Sequence, residues 1–240
     1  MLDIVKYALI TGVSTGIGYE SLKALIGKGY YVYGSVRTQG DADRLKEEFA
    51  QGFTPLIFDV TDQEGVDSAV VQVTADIGNK GLSCLVNNSG IAIAGPLQHQ
   101  SIGDFESQFQ VNVIELMRVP QAFLPLLGAR ENHPGEAGRI INISSVAGKF
   151  AQPFVGAYVG SKHAVEGSSH SLRRELLIYG IKVIIVGPGA VKTPIWHKGI
   201  NMDQYSNTAY GSILKRFAKA AKKGGEQGLD ASFLGLKMPI

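Results

Sequence analysis

The sequence predicts an α/β domain of three layers, with a doubly wound parallel sheet between two layers of helices. Three observations predict it. Short apolar segments alternate along the chain with longer helical patterns. Those segments are apolar throughout instead of alternating with polar residues, as befits parallel strands buried on both faces. The first of them runs directly into a glycine-rich turn and then a helix.

Taken in order, strands are expected at residues 6–11, 31–36, 54–58, 84–87, 139–143 and 182–186. The helical patterns between them cover residues 17–28, 41–51, 62–77, 102–127 and 156–179. Each strand-helix-strand crossover is expected to be right-handed. Pro120 and Pro125 fall late in the fourth helical pattern and predict a kink or an early end there, since proline removes a helix hydrogen bond. The polar stretch 131–138, with Pro134, Gly135 and Gly138, reads as a surface loop.

The chain has 240 residues, enough for one large domain or two small ones at ~100–200 residues each. No linker, repeat or low-complexity segment divides it, so residues 1–240 are expected to form one domain. With 45% hydrophobic and 18% charged residues the chain can bury a large core, which excludes disorder. A net charge of +2 gives no support for nucleic-acid binding. The single cysteine, Cys84, excludes an intrachain disulfide and sits in an apolar run, as a buried thiol would. That usage suits a reducing cytoplasm. The first residues do not read as a signal peptide, and no apolar run approaches the ~20 residues that span a bilayer. His99, His133, His163, His170 and His197 show no metal-ligand spacing, so no metal is expected.

The turn after the first strand reads Thr11-Gly12-Val13-Ser14-Thr15-Gly16-Ile17-Gly18. Glycines there let the backbone approach a pyrophosphate, and the following helix offers its free N–H groups and positive dipole end. This is the arrangement of a Rossmann-type dinucleotide site, although the spacing is Gly-x3-Gly-x-Gly. The second strand ends Ser35-Val36-Arg37-Thr38, with the first acid only at Asp41. An arginine at that place can accommodate the 2′-phosphate of NADP, where an acid would hold the ribose hydroxyl of NAD. Asp59-Val60 closes the third strand, where a carboxylate can accept from an adenine amino group or simply cap a turn. Asn87-Asn88-Ser89-Gly90 closes the fourth; asparagine there can tie neighbouring strand ends together.

Tyr158 and Lys162 lie four apart on a predicted helix and so share a face. An ammonium beside a phenol favours the phenolate, which lets tyrosine exchange protons near neutral pH. Tyr19 and Lys23 have the same spacing, so the pair alone decides nothing. Ser145 separates them: it ends the fifth strand, at the crevice of an open parallel sheet, where its hydroxyl can polarise a carbonyl. Ser144 is the alternative, on the opposite face of the strand.

With these residues in place, the chain resembles the short-chain dehydrogenase/reductases. The glycine loop matches their Thr-Gly-x3-Gly-x-Gly, and Ser145 with Tyr158-x3-Lys162 matches their active-site set. Asn112 matches the asparagine of their tetrad, and Asp59, Asn87-Asn88-x-Gly90 and Pro188-Gly189 followed by Thr193 match further positions. The resemblance runs from about Tyr7 to Pro194. It implies that Tyr158 exchanges a proton with the substrate oxygen, Lys162 holds the nicotinamide ribose and tunes Tyr158, Ser145 orients substrate, and Asn112 anchors a water. It implies a cofactor, NADP(H) in preference to NAD(H), held by Gly12, Ser14, Thr15, Gly16, Ile17, Gly18, Arg37, Asp59, Val60, Asn88, Ser89, Gly90, Tyr158, Lys162, Pro188, Gly189, Val191 and Thr193. It also implies a small-molecule carbonyl or alcohol substrate and a homodimer or homotetramer.

Two features depart from the family pattern. Ser89 stands where the family usually has alanine, and after Gly228 the tail reads as the start of a helix where a helix and a last strand are usual. The last strand of the sheet is therefore expected to be absent or rebuilt. Residues 194–225 occupy the substrate-loop position, with Ile195, Trp196, Tyr205, Tyr210, Ile213, Leu214 and Phe217 suggesting a lid over a large apolar substrate. The texture there is similar to the hydroxysteroid and retinol dehydrogenase branch, and equally compatible with a bacterial ketone reductase of another substrate. Lys215, Arg216, Lys219, Lys222 and Lys223 read as a solvated basic face, with a membrane-surface contact as the alternative. The other readings are an idle cofactor-binding sensor or scaffold, and an epimerase or dehydratase; the latter would normally need a larger C-terminal portion.

Overall fold

The computed structural model describes residues 5–133, 135–195 and 203–239. Pro134, Trp196 and His197 lie outside them. Among the described residues six parallel strands form one sheet: β1 (Lys6–Ile10), β2 (Tyr30–Val36), β3 (Phe53–Ile57), β4 (Leu82–Asn87), β5 (Arg139–Ile143) and β6 (Lys182–Val186). Their order across the sheet is β3-β2-β1-β4-β5-β6. Progression along the sheet reverses beside β1, so a crevice opens between the C-terminal ends of β1 and β4.

The continuous apolar character of the strands has a direct cause. Leu9, Leu85 and Ile140 pack into one core with Val66, Val73, Phe123 and Leu127. Their neighbours Ala8, Ile10, Val86 and Ile141 pack into the other, with Leu22, Leu25 and Leu45. Successive residues of a strand point to opposite faces, and here both faces are covered. The helices are α1 (Gly16–Gly27), α2 (Gln39–Glu48), α3 (Gln63–Ile77), α4 (Ile102–Phe109), α5 (Glu115–Leu127), α6 (Gly156–Glu175), α7 (Gly211–Glu226) and α8 (Ala231–Leu236). Helix α2 starts before the expected Asp41, because the Thr38 hydroxyl caps it by accepting from the Asp41 N–H at 3.2 Å.

The expected helix at 102–127 is corrected in two respects. A π-helical segment, Gln110–Ile114, separates α4 from α5. Pro120 and Pro125 do not end the helix, which continues to Leu127. Pro120 cannot donate to the carbonyl one turn earlier, that of Leu116, and the Asn87 amide donates to that oxygen instead at 3.4 Å.

No described residue after β6 adds a strand to the sheet. Instead α8 packs on α1: the Gly235 backbone lies so close to the Glu20 carbonyl that an added Cβ would sit 2.5 Å from it, and Met238 is buried beside Leu22 and Leu25. Leu229 is tied to the strand-end segment by the Lys192 N–H at 2.9 Å and by its own N–H to Ala190 at 2.9 Å.

Candidate active site

The loop after β1 is built for close approach to a ligand. Gly12 and Gly16 hold φ of +70° and +63°, the left-handed region that favours glycine. A Cβ on Gly18 would collide with the Gly12 carbonyl. The loop is held from three sides. The Ser35 hydroxyl accepts from the Gly12 N–H at 2.9 Å. The Asn88 amide donates to the Thr11 and Gly12 carbonyls at 2.9 and 3.0 Å. The Thr11 hydroxyl accepts from the Asn88 and Ser89 N–H groups at 2.9 and 3.0 Å. Thr15 makes no side-chain cap, so the first N–H groups of α1, from Gly16, Ile17 and Gly18 onward, face the crevice end without a side-chain acceptor.

The other expected cofactor residues surround this loop. A Cβ on Gly16 would lie 3.2 Å from Thr193, so the segment after β6 faces the glycine loop. Pro188 accepts from the Val146 N–H at 3.0 Å, which joins that segment to the turn bearing Ser145; Gly189 is exposed and Val191 is buried. Arg37 is exposed at the end of β2. Asp59 gives one carboxylate oxygen to Thr61, accepting from its N–H and hydroxyl at 2.9 and 2.7 Å. It therefore caps a turn and keeps its second oxygen for another partner. Val60 beside it is buried.

Ser145, Tyr158 and Lys162 converge. Ser145 follows β5, and its hydroxyl accepts from the Ala147 N–H at 3.1 Å and faces the Tyr158 phenol closely enough to favour its ionised form. Ser144 turns the other way, to Glu166, so the strand face selects Ser145. Lys162 is buried and donates to the Ile143 carbonyl at 2.8 Å; its ammonium lies 5.8 Å from the centre of the Tyr158 ring. Gly90 stands over it: a Cβ there would be 3.9 Å from the ammonium and 3.3 Å from Asn112. The competing pair resolves differently, since the Tyr19 hydroxyl donates to Glu48, behind the glycine loop.

The electrostatics correct one expectation. Lys162 does not pull the Tyr158 phenol below its ordinary range; burial pushes it up, and the Ser145 hydrogen bond pulls in the other direction. Tyr158 is thus held as a protonated acid. Burial lowers Lys162 to about 8, opposed by Glu166 one turn further along α6. Asn112 sits in the π segment, with both amide hydrogens and one acceptor site of its side chain engaged. It accepts from the Ile91 N–H at 2.9 Å and donates to the Ile91 carbonyl and the Ser161 hydroxyl at 3.0 Å each. Its amide clamps the segment to the β4 loop and to α6.

Several contributing residues carried no motif signal. Ser35 braces the loop beside the motif residue Thr11, and Arg44 on α2 donates to the Ser14 carbonyl at 2.9 Å while pairing with Asp41 at 3.2 Å. Asn142, alternating with apolar residues in β5, accepts from Asn87 at 2.8 Å and donates to Ser169 at 2.8 Å. A polar residue in a doubly buried strand was the available clue for Asn142. The expected lid residues Tyr205, Tyr210, Leu214 and Phe217 form a small satellite cluster with Ala94, Phe154 and Val155, whereas Ile213 is exposed. Phe154 holds a strained φ of +65° at this rim. The basic residues of α7 are all exposed. No group of residues fit to hold a metal occurs among those described, and no described helix is long and apolar enough to cross a membrane.

The family model for short chain dehydrogenases matches residues 6–204. An NADPH-dependent 3-dehydrocapnine reductase of Ornithobacterium rhinotracheale is 44% identical over 216 residues, covering 90% of this chain and 76% of that protein. Rat retinol dehydrogenase 7 is 35% identical over 203 residues; the match covers 84% of this chain but only 61% of the rat protein, under two thirds of its length. The crystal structure of a variant actinorhodin polyketide ketoreductase with NADPH superposes with a TM-score of 0.79 at 26% identity, covering 96% of this chain and 87% of the other. The chain belongs to the short-chain dehydrogenase/reductase family and is an oxidoreductase acting between carbonyl and alcohol.

Proposed function

We propose that the chain is an NADP(H)-dependent ketone reductase whose substrate is 3-dehydrocapnine or a related ketone with a long apolar portion. The observation that carries the chemistry is the convergence of Ser145, Tyr158 and Lys162 beside a glycine loop open to a dinucleotide. The residues fit the cofactor: side-chain-free Gly12, Gly16 and Gly18 let the turn fold tightly into the start of α1, whose uncapped N–H groups supply donors for a pyrophosphate. Thr193 and Gly90 would border the nicotinamide end. Asp59 has an oxygen left for the adenine amino group. Arg37, exposed and in no ion pair with a described residue, would take the 2′-phosphate.

When bound, the nicotinamide supplies the hydride. The chain supplies position and protons. The Ser145 hydroxyl donates a hydrogen bond to the substrate carbonyl oxygen and polarises it. Tyr158, kept protonated by burial, passes its proton to that oxygen as negative charge develops there. Lys162, held by the Ile143 carbonyl, stabilises the phenolate left behind. Residues 1–240 would act as one unit, with the described residues 203–225 bordering the apolar part of the substrate. The exposed Leu177 and Ile178 at the end of α6 support assembly as a homodimer or homotetramer, and the reduced, buried Cys84 supports a cytoplasmic setting.

The test is NADPH oxidation with 3-dehydrocapnine and a panel of steroid ketones and retinal, with NADH in parallel. Turnover of 3-dehydrocapnine with NADPH preferred is the expected result; turnover of the panel alone would remove the substrate assignment. In Arg37→Asp the NADPH preference should fall roughly 10- to 100-fold, the worth of a hydrogen-bonded charge pair. An unchanged cofactor ratio would exclude Arg37 from the selection.

A further inference from the structure

Glu115 opens α5, directly after the π segment. Its side chain is 3% exposed, and neither carboxylate oxygen has a hydrogen-bond partner among the described residues. Arg118, one turn on, stands 3.9 Å away, beyond hydrogen-bond reach. Its guanidinium is engaged elsewhere: it donates to the Val60 carbonyl at 3.1 Å and to Gln63 at 3.0 Å. Glu115 also lines a cavity of about 10 Å³ together with Thr11, Val60, Asn87, Ser89 and Val111. Val60 and Ser89 are among the residues expected to hold the cofactor, and Thr11 braces the turn that carries Ser89. The buried acid therefore lies directly under the floor of the nucleotide site.

A carboxyl so placed is a neutral acid at pH 7. Burial first, then the like charge of Asp59 at the end of β3, push it up to about 8 against the pull of Arg118. Asp59 and Arg118 are the charged groups acting on it. Once ionised, the carboxylate needs a partner, and its nearest cation is the one that holds the Val60 carbonyl.

We propose that Glu115 is a cofactor-affinity residue: as a neutral acid it keeps the floor of the adenosine subsite closed and uncharged, and its ionisation loosens the grip on the nucleotide. Two effects act together. Arg118 is drawn off Val60, and a second negative charge joins Asp59 against the phosphates of the ligand. A ligand that prefers the neutral form binds with constant affinity below the titration and loses up to tenfold per pH unit above it. This rests on the nucleotide site assigned by the family.

The probe is adenosine 2′,5′-bisphosphate, which carries the adenosine end and has no nicotinamide ribose to reach Lys162, a group that titrates in the same range. Its phosphates, with pKa near 6, are fully charged from pH 7.5 upward. Isothermal titration between pH 7.5 and 9.5 should show the wild-type dissociation constant rising roughly five- to twenty-fold, as linkage to a single site allows. In Glu115→Gln the constant should stay level. A flat wild-type profile overturns the proposal with no variant needed, and so does an equal rise in Glu115→Gln. Absence of binding at pH 7.5 overturns it together with the nucleotide site, whereas tight binding without a slope overturns the role of Glu115 alone.

Discussion

Tyr158 shows how far a spacing can be read. Tyr19-x3-Lys23 has the same pattern, and only the position of Ser145 at the end of β5 distinguishes them; the structure then sends Tyr19 to Glu48 and Tyr158 to Ser145. What could not be read was the direction of the phenol's titration, because burial is a sum over the whole fold and Lys162 is turned to the Ile143 carbonyl. Tyr158→Phe removes the proton donor and leaves the packing. Its kcat should fall ~10²–10⁴-fold, the usual worth of a positioned general acid. NADPH affinity should be unchanged; retained turnover would exclude Tyr158 as the acid. Lys162 adds a pH signature. Its native value of about 8 lies below the ordinary lysine value of 10.5, so it loses its charge as pH rises through 8. At saturating NADPH, where cofactor affinity no longer enters, kcat for reduction should descend above pH 8 and should do so in Glu115→Gln as well, which isolates Lys162; a level profile to pH 9.5 would contradict this. For stability the sign is opposite. Between 8 and 10.5 the unfolded chain binds more protons than the native one, so burial of Lys162 costs less stability as pH rises.

At the scale of an element, residues 102–127 hold the sharpest difference between sequence and structure. Their apolar pattern is continuous and their prolines are conspicuous, so the sequence reads as one helix broken late. The break instead comes early, in Gln110–Ile114, where no glycine or proline marks it. The strand ends were legible because short apolar runs bounded by Gly, Asn and Ser leave little freedom. The π segment was not, since its cause is long-range: the Asn112 amide satisfies the backbone of Ile91 and reaches Ser161 on α6. Single-turn π segments of this kind often mark functional sites. Asn112→Ala would leave buried polar groups unsatisfied, a loss of about 1–3 kcal/mol. For a chain of this size that corresponds to a fall of roughly 2–12 °C in thermal midpoint. Turnover should fall with it, because α6 carries Tyr158 and Lys162. A variant with the wild-type midpoint would show that the clamp is dispensable.

Over the whole molecule, the sheet and its crevice follow from the alternation of segments, while the tail does not. Its composition announces a helix start, but where that helix docks depends on one contact over two hundred residues distant in sequence, Gly235 on the Glu20 carbonyl. Through it α8 rests on α1, and Met238 closes the core beneath Leu22 and Leu25. Helix α1 also begins at the glycine loop proposed to take the pyrophosphate, so the tail supports that loop from behind. Gly235→Val tests this connection, since a branched side chain cannot enter a space bounded by backbone. Overpacking of this kind costs about 1–3 kcal/mol. The thermal midpoint should drop by several degrees, and NADPH should bind several-fold more weakly. The ratio of turnover between substrates should stay fixed, because β5 and α6 are untouched. If the midpoint falls while NADPH affinity is retained, the tail stabilises the sheet without bearing on the glycine loop. If neither changes, α8 does not dock on α1 in solution.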